Sequence, residues 1–249
     1  MPKKQESKAM KAKIERVATG IPGMDAMMEG GFKRNSVNLV AGGAGTGKSI
    51  FAVQFLVNGI EKYNEPGIFI TFEERKPKFY ADMARFGWDL QKYEDKGKFV
   101  YLEYTPEQVK KVLTEGGGIV ENIIERIGAK RLVIDSITSF ALLYEDELTK
   151  KQASLTLFNL IDKWDCTGIL TSQLITQDDL RMGGTISAAL EFEVDSILLL
   201  YHIKKKAVRE RAIEILKMRG TKIPERTVEL CIGNNGIAVN PNKLVEFNF

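Results

Sequence analysis

Cysteine and histidine are nearly missing from this sequence: Cys166, Cys231 and His202 are the whole supply. The two thiols lie far apart and outside any metal-ligand spacing, which excludes a disulfide framework and a cysteine-rich zinc site. Each stands in or beside an apolar run, where a small buried thiol is ordinary, and a reducing cytosol is the expected setting. His202 falls in the middle of a strand-like run and reads as structural. Long apolar runs are lacking too. The polar opening MPKKQESKAMKAKIER has no secretory core, and no later run reaches bilayer-spanning length, so a soluble protein without a membrane partner is expected. Nor does one charge dominate. The net charge is +3, yet residues 1–16 set Lys3, Lys4, Lys8, Lys11, Lys13 and Arg16 against Glu6 and Glu15 alone, which leaves the remainder slightly acidic. A nucleic-acid surface across the fold is therefore not expected, and residues 1–16 read as a flexible basic tail ahead of one domain over 17–249.

What is present is alternation. Apolar runs of strand length at Val37–Ala41, Ile68–Phe72, Phe99–Glu103, Leu132–Asp135 and Ile169–Ser172 are separated by segments of helical period. The helical segments are Lys48–Lys62, Pro77–Phe86, Glu107–Ile127, interrupted at Gly116-Gly117-Gly118, and Glu147–Trp164. This order predicts an α/β fold, a mostly parallel sheet flanked by helices. Beyond Leu190 the helices stop, and Val194–Ile203, Arg211–Met218, Arg226–Ile232 and Ile237–Asn240 predict antiparallel strands added at the C-terminal edge. The polar KKKAVRER, Lys204–Arg211, then reads as a hairpin whose charges are solvated or guard an edge.

One segment carries chemistry on its own. GGAGTGKS supplies Gly42-x-x-x-x-Gly47-Lys48-Ser49 after an apolar strand and before a helix, the context of a phosphate-binding loop. Its residues Gly43, Ala44, Gly45, Thr46, Gly47, Lys48, Ser49 and Ile50 are the candidate nucleotide contacts. Glycines let the chain curl around phosphate oxygens, with backbone N–H groups and a helix N-terminus aimed at them. Lys48 would reach the β- and γ-phosphates of ATP, and the Ser49 hydroxyl would sit on Mg²⁺. Asp135 ends the run Leu132-Val133-Ile134 at the sheet edge where open α/β sheets bind ligands, and is the second candidate metal residue.

A water-activating acid is missing from its common place. Many phosphate-loop ATPases carry it directly after the magnesium Asp, where this chain has Ser136. GIFITFEE instead ends a strand in Glu73-Glu74, and two adjacent carboxylates call for a cation or a bound water between them. The alternative is that both cap a helix beginning near Arg75. Gln173, closing the strand that ends TSQ, is placed to hydrogen-bond a γ-phosphate or the attacking water, or to serve only as a polar strand end. Lys217 and Arg219, two apart on a late strand, share a face, and surface solvation explains them as well as any chemistry does.

Seven segments occur in one order: TGIPGMDAMMEGGF, GGAGTGKS, TFEE, FGWD, LVIDSIT, TSQ and KMRG. In this the chain, from residue 17 to about 240, resembles the KaiC-like branch of the RecA superfamily, in its single-domain, archaeal form. The resemblance implies a RecA-like P-loop NTPase fold, with Glu73 and Glu74 as the catalytic pair. It also implies that Lys217 and Arg219 reach across a subunit boundary to a neighbour's γ-phosphate, as arginine fingers do. In that family a second domain autophosphorylates and a first is a slow ATPase.

Two departures qualify the likeness. Family members often carry His three residues after the KMRG glycine, where this chain has Ile223 and then Pro224, so contacts across an interface would differ. The clock protein's phosphosites align with Glu191-Phe192, counted back from Asp195-Ser196-Ile197, and neither accepts a phosphoryl group, although Thr185 and Ser187 stand nearby. An autokinase is therefore not expected. The leading expectation is a Mg²⁺-dependent ATPase binding ATP or ADP between subunits of a homo-oligomeric ring, a hexamer, with an unknown protein partner. A DNA recombination ATPase is the runner-up, weakened because LITQDDLRMGGTISAAL sets Asp178 and Asp179 against Arg181 and has no aromatic residue. A nucleotide-sensing scaffold with negligible turnover is the third.

Overall fold

The computed structural model describes residues 14–141, 143–173, 193–205 and 207–246. Strands β1 (Arg16–Val17) and β2 (Phe32–Lys33) pair antiparallel and bracket a short 3-10 turn, Asp25–Met28. The Asp25 carboxylate accepts hydrogen bonds from Thr19 N at 2.8 Å, the Thr19 hydroxyl at 2.7 Å and Gly20 N at 3.0 Å. These bonds satisfy the backbone of a turn that buries Met24, Met27 and Met28.

Then follow β3 (Val37–Gly42), α1 (Lys48–Tyr63), β4 (Gly67–Thr71), α2 (Lys76–Ala84), α3 (Leu90–Asp95) and β5 (Phe99–Glu103). Next come α4 (Pro106–Thr114), α5 (Gly118–Ile127), β6 (Arg131–Asp135), α6 (Ile137–Ala141), α7 (Glu147–Lys163) and β7 (Thr167–Gln173). Strands β8 (Ser196–Lys205), β9 (Val208–Met218), β10 (Val228–Gly233) and β11 (Gly236–Leu244) complete the chain. Among the described residues nine strands form one sheet, in the order β11-β10-β9-β8-β3-β7-β6-β4-β5. From β8 to β5 neighbours run parallel; from β8 to β11 they run antiparallel. The fold is thus the mostly parallel α/β sheet with antiparallel strands at one edge.

Both faces are covered, which is why the strands read as unbroken apolar runs. Period two divides each strand between two cores. Val40, Phe69, Val133 and Ile169 pack with Phe51 and Phe55 of α1, while Leu39, Ile68, Leu132 and Leu170 pack on the other face with Val120, Leu157 and Ile161. Helix α1 is so enclosed that its amides need partners. Gln54 Nε2 donates to Ile237 O at 2.9 Å and Gln54 Oε1 accepts from Ile237 N at 2.6 Å, so the side chain pairs with β11 as a strand would. Asn58 Nδ2 donates to Thr19 O at 3.0 Å.

Arg131, wholly buried at the start of β6, donates to Glu65 Oε2 from Nε at 2.8 Å and to Phe55 O from Nη1 at 2.8 Å. Burial lowers its pKa, opposed by Glu65, and the guanidinium lies 4.4 Å from the centre of the Phe55 ring. Gly59 makes the room: a Cβ there would fall 2.4 Å from Arg131 Cδ.

The structure amends the sequence reading in several places. The first late strand, β8, is antiparallel to β9 as expected but on its other side lies parallel beside β3, with Leu200 opposite Gly42. The Lys204–Arg211 hairpin is mostly strand: Lys205 already pairs with Val208, because Arg209 and Arg211 alternate with Glu210 across an extended ladder. Helices α3 and α6 are too short for periodicity to reveal. Cys231 is exposed rather than buried, while Cys166 is buried and its thiol is pushed up to about 12 by desolvation. Among the described residues no helix is long and apolar enough to cross a membrane.

Candidate functional site

The phosphate loop joins β3 to α1. Gly45 and Gly47 hold φ of +73° and +104°, which side-chain-bearing residues rarely adopt, and a Cβ at Gly42 would lie 2.4 Å from the Leu200 carbonyl oxygen. The loop also closes on itself: the Thr46 hydroxyl donates to Gly43 O at 2.9 Å, and the Lys48 ammonium donates to Gly42 O and Gly43 O, each at 2.9 Å. Gly43, Ala44, Gly45, Thr46, Gly47, Lys48, Ser49 and Ile50 thus form one turn ending in the first turn of a 16-residue helix, whose leading N–H groups have no partner within the helix.

Sheet order sets the rest of the site. β7, β6 and β4 follow β3 side by side, so Gln173, Asp135 and Glu73 leave the sheet at the same edge as the loop. Asp135 ends β6 opposite Thr71, and its carboxylate takes the hydroxyls of Thr171 and Ser49. Burial raises its pKa; the two hydroxyls and Lys48 oppose the rise, and the Glu73 charge adds to it. Lys48 is displaced the other way, lowered by burial and held up by Asp135 and Glu73. Asp135 and Ser49 therefore offer oxygen donors only, at a carboxylate whose surroundings favour an added positive charge. Such a donor set fits Mg²⁺, a hard cation that takes one or two protein ligands beside phosphate oxygens and water.

Glu73 and Glu74 are adjacent in sequence and separate in space. The Thr71 hydroxyl accepts both of their N–H groups, at 3.2 and 3.4 Å, and turns the chain out of β4. Glu73 Oε1 then receives the hydroxyls of Ser136, at 3.1 Å, and Ser139. Glu74 points to Lys78 at 3.3 Å, and its backbone carbonyl accepts the Tyr101 hydroxyl at 2.5 Å. Neither caps α2: its N-cap is Arg75, with no side-chain cap bond. Ser136, standing where an acid is common, is therefore a hydrogen-bond donor to the acid just beyond the end of the neighbouring strand. Sequence reading missed Ser139, Thr171 and Tyr101; a Ser three residues after Ser136, at the start of a helix, is the one signal that pointed there.

Gln173 stands in register with Gly42; its N–H donates to the Thr138 hydroxyl at 2.8 Å and its side chain is exposed. Lys217 and Arg219 are elsewhere. β9 is antiparallel to β8 and Lys217 pairs with Ile197, so both lie toward the opposite end of the sheet from the chain's own loop. Lys217 Nζ donates to Val194 O at 2.9 Å. The strand ends at Met218, with a bulge at Leu216, so Arg219 stands in the turn beyond and does not share a strand face with Lys217. Asp178, Asp179, Arg181, Thr185, Ser187, Glu191 and Phe192 lie outside the described residues.

His202, read from sequence as structural, sits against the phosphate loop: a Cβ at Gly45 would be 3.7 Å from its Nδ1. Burial, then Arg211 and Arg209, hold the imidazole below its usual range.

Known proteins resemble this chain along most of its length. The family model of the KaiC ATPases matches residues 17–244. The UPF0273 protein of Methanocaldococcus jannaschii is 35% identical over 246 residues, covering 94% of this chain and 99% of that one. The circadian clock oscillator protein KaiC of Prochlorococcus marinus is 34% identical over 247 residues; the match covers 96% of this chain but 48% of that protein, so this chain spans about half its length. Among solved structures, the KaiC-like protein of Pyrococcus horikoshii superposes with a TM-score of 0.81 at 37% identity, covering 92% of this chain and 100% of that one. With the phosphate loop, the edge acids and the antiparallel extension all falling inside the matched residues, this chain belongs to the KaiC family of ATPases.

Proposed function

We propose that the chain hydrolyses ATP with Mg²⁺ at the interfaces of a homo-oligomeric ring, a hexamer, as a regulatory ATPase that acts on a protein partner in the cytosol. The observation that carries this reading is the Glu73 carboxylate, held by Ser136 and Ser139 at the edge that also presents Lys48 and Asp135. Both serines bond Oε1, which leaves Oε2 as the oxygen neither occupies and the one to accept a proton from water. Lys48 supplies countercharge to the β- and γ-phosphates, and Gln173 stands beside the loop to orient the water. Mg²⁺, held by Ser49 and Asp135, would neutralise phosphate charge. A reducing setting suits two free thiols.

The test combines phosphate release with oligomeric mass measured without nucleotide, with ADP and with a slowly hydrolysed ATP analogue. Magnesium-dependent release together with a ring in the presence of the analogue is the expected result. Release from a particle that is monomeric in all three states overturns the ring; the absence of phosphate release overturns the ATPase reading.

The position of Lys217 and Arg219 supports a role in trans. Along β3, Leu39, beside Ile197, is about 10 Å from Gly42 at ~3.3 Å per residue, so these cations stand away from their own loop along the sheet. Arg219→Ala should bind ATP and lose turnover, since countercharge for the neighbour's γ-phosphate is what it removes. Mixing it with Glu73→Gln subunits should restore part of the activity, because some interfaces then pair an intact acid with an intact finger. Full activity of Arg219→Ala alone, or no recovery in demonstrated hetero-rings, refutes the assignment.

A further inference from the structure

The β8–β9 hairpin touches the apex of the phosphate loop, a contact that the reading above does not use. β8 pairs with β3 up to Leu200 opposite Gly42, then continues past the end of β3 to Lys205. That overhang runs alongside the loop. His202 borders Gly45, and Arg211, its cross-strand partner on β9, donates from Nε to the Gly45 carbonyl at 3.2 Å.

The geometry points to Arg211 as a positioning residue for nucleotide binding, supplied by the same chain and acting through the loop backbone. In a trans peptide the C=O and the following N–H point in opposite directions. Fixing the Gly45 carbonyl toward the hairpin therefore fixes the Thr46 N–H on the other side, away from the hairpin. Gly45 has φ +73° and no side chain to limit it, so this peptide is free to turn over unless its carbonyl is held. The Gly42 and Gly43 carbonyls are held within the loop, by Lys48 and Thr46, whereas the Gly45 carbonyl is held from outside it. A guanidinium stays charged at any working pH, and its charge-assisted bond is stronger than a neutral one.

This inference rests on the loop binding nucleotide, and the experiment separates the two. Equilibrium binding of Mg·ATP and Mg·ADP, with steady-state turnover, is measured for the full chain and for Arg211→Ala, Arg211→Gln, Arg211→Lys and Arg209→Ala. Arg211→Ala should weaken ATP and ADP alike by about 10-fold, the scale of one charge-assisted hydrogen bond, with the loss in Kd and KM and much less in kcat. Arg211→Lys should recover most of it. Arg209→Ala removes the same charge from the same hairpin and should bind within about twofold of the parent. If Arg211→Ala does not fold, as judged by thermal unfolding, Arg211→Gln carries the same expectation. Unchanged binding in the folded variant overturns the inference, as does an equal loss in Arg209→Ala, which signifies diffuse charge. A loss for ATP far larger than for ADP overturns it too, since Arg211 would then touch the γ-phosphate directly. No binding by the parent chain defeats the nucleotide reading itself.

Discussion

Glu73→Gln is expected to bind ATP normally and to lose hydrolysis by ~100-fold or more, the scale of removing a general base. The amide keeps the shape of the side chain and can still accept from Ser136 and Ser139, but it cannot take a proton from water. Glu74→Gln should stay within a factor of about five, because that carboxylate is committed to Lys78 in a partly exposed pair of modest strength. Single-turnover phosphate release beside a binding isotherm distinguishes the two. Equal losses in both variants would mean that the pair acts as a unit; an unaffected Glu73→Gln would place the base elsewhere, and the geometry at Ser136 and Ser139 would be structural.

Lys48→Ala should fail a step earlier. Burial disfavours its charge, and Asp135 and Glu73 favour it, so the ammonium is the cation that balances the two carboxylates at this edge. Removing it leaves Asp135, itself raised by burial, with the like-charged Glu73 as neighbour and without the cation that opposes that rise among the described residues. A polyphosphate brought to that edge meets repulsion where it would have met attraction, and Kd for Mg·ATP should rise by ~100-fold or more, as when one partner of a buried charge pair is deleted. Titration with a fluorescent ATP analogue, with the fold checked by circular dichroism, measures this. Retained affinity in a folded Lys48→Ala protein contradicts the assignment of the loop.

The parallel core could be read from sequence because its central strands are covered on both faces and so appear as short apolar runs between longer segments of helical period. The phosphate loop could be read because glycine spacing and Lys48 are dictated by local backbone geometry. What periodicity does not carry is strand order. β8 looked like its antiparallel successors because all four runs are strand-like and no helix intervenes, and only pairing distinguishes it. Ser136 and Ser139 were invisible as partners of Glu73 for the same reason: their meeting depends on β6 lying beside β4, 63 residues apart in the chain for Ser136 and Glu73. Arg211 reads from sequence as solvated or guarding an edge, because the hairpin's neighbour is the loop of β3, which adjacency in sequence does not reveal. Arg131 shows the limit of residue-type rules: a guanidinium at the start of a strand is wholly buried because Glu65 and Gly59, far away in sequence, make the place for it.

β9 is one continuous strand with Arg211 at the phosphate loop and Lys217 near the far end of the sheet, about 20 Å apart at ~3.4 Å per residue. In the ring proposed above it would work as a connecting rod, one end resting on the chain's own phosphate loop and the other reaching toward its neighbour's site. Because such a ring is assembled head to tail, every rod points the same way around it. Each site would then join the neighbour on one side through a phosphate loop and the neighbour on the other side through the far end of a rod, giving the assembly a clockwise and an anticlockwise direction that no single subunit possesses, although the coupling itself would run equally both ways.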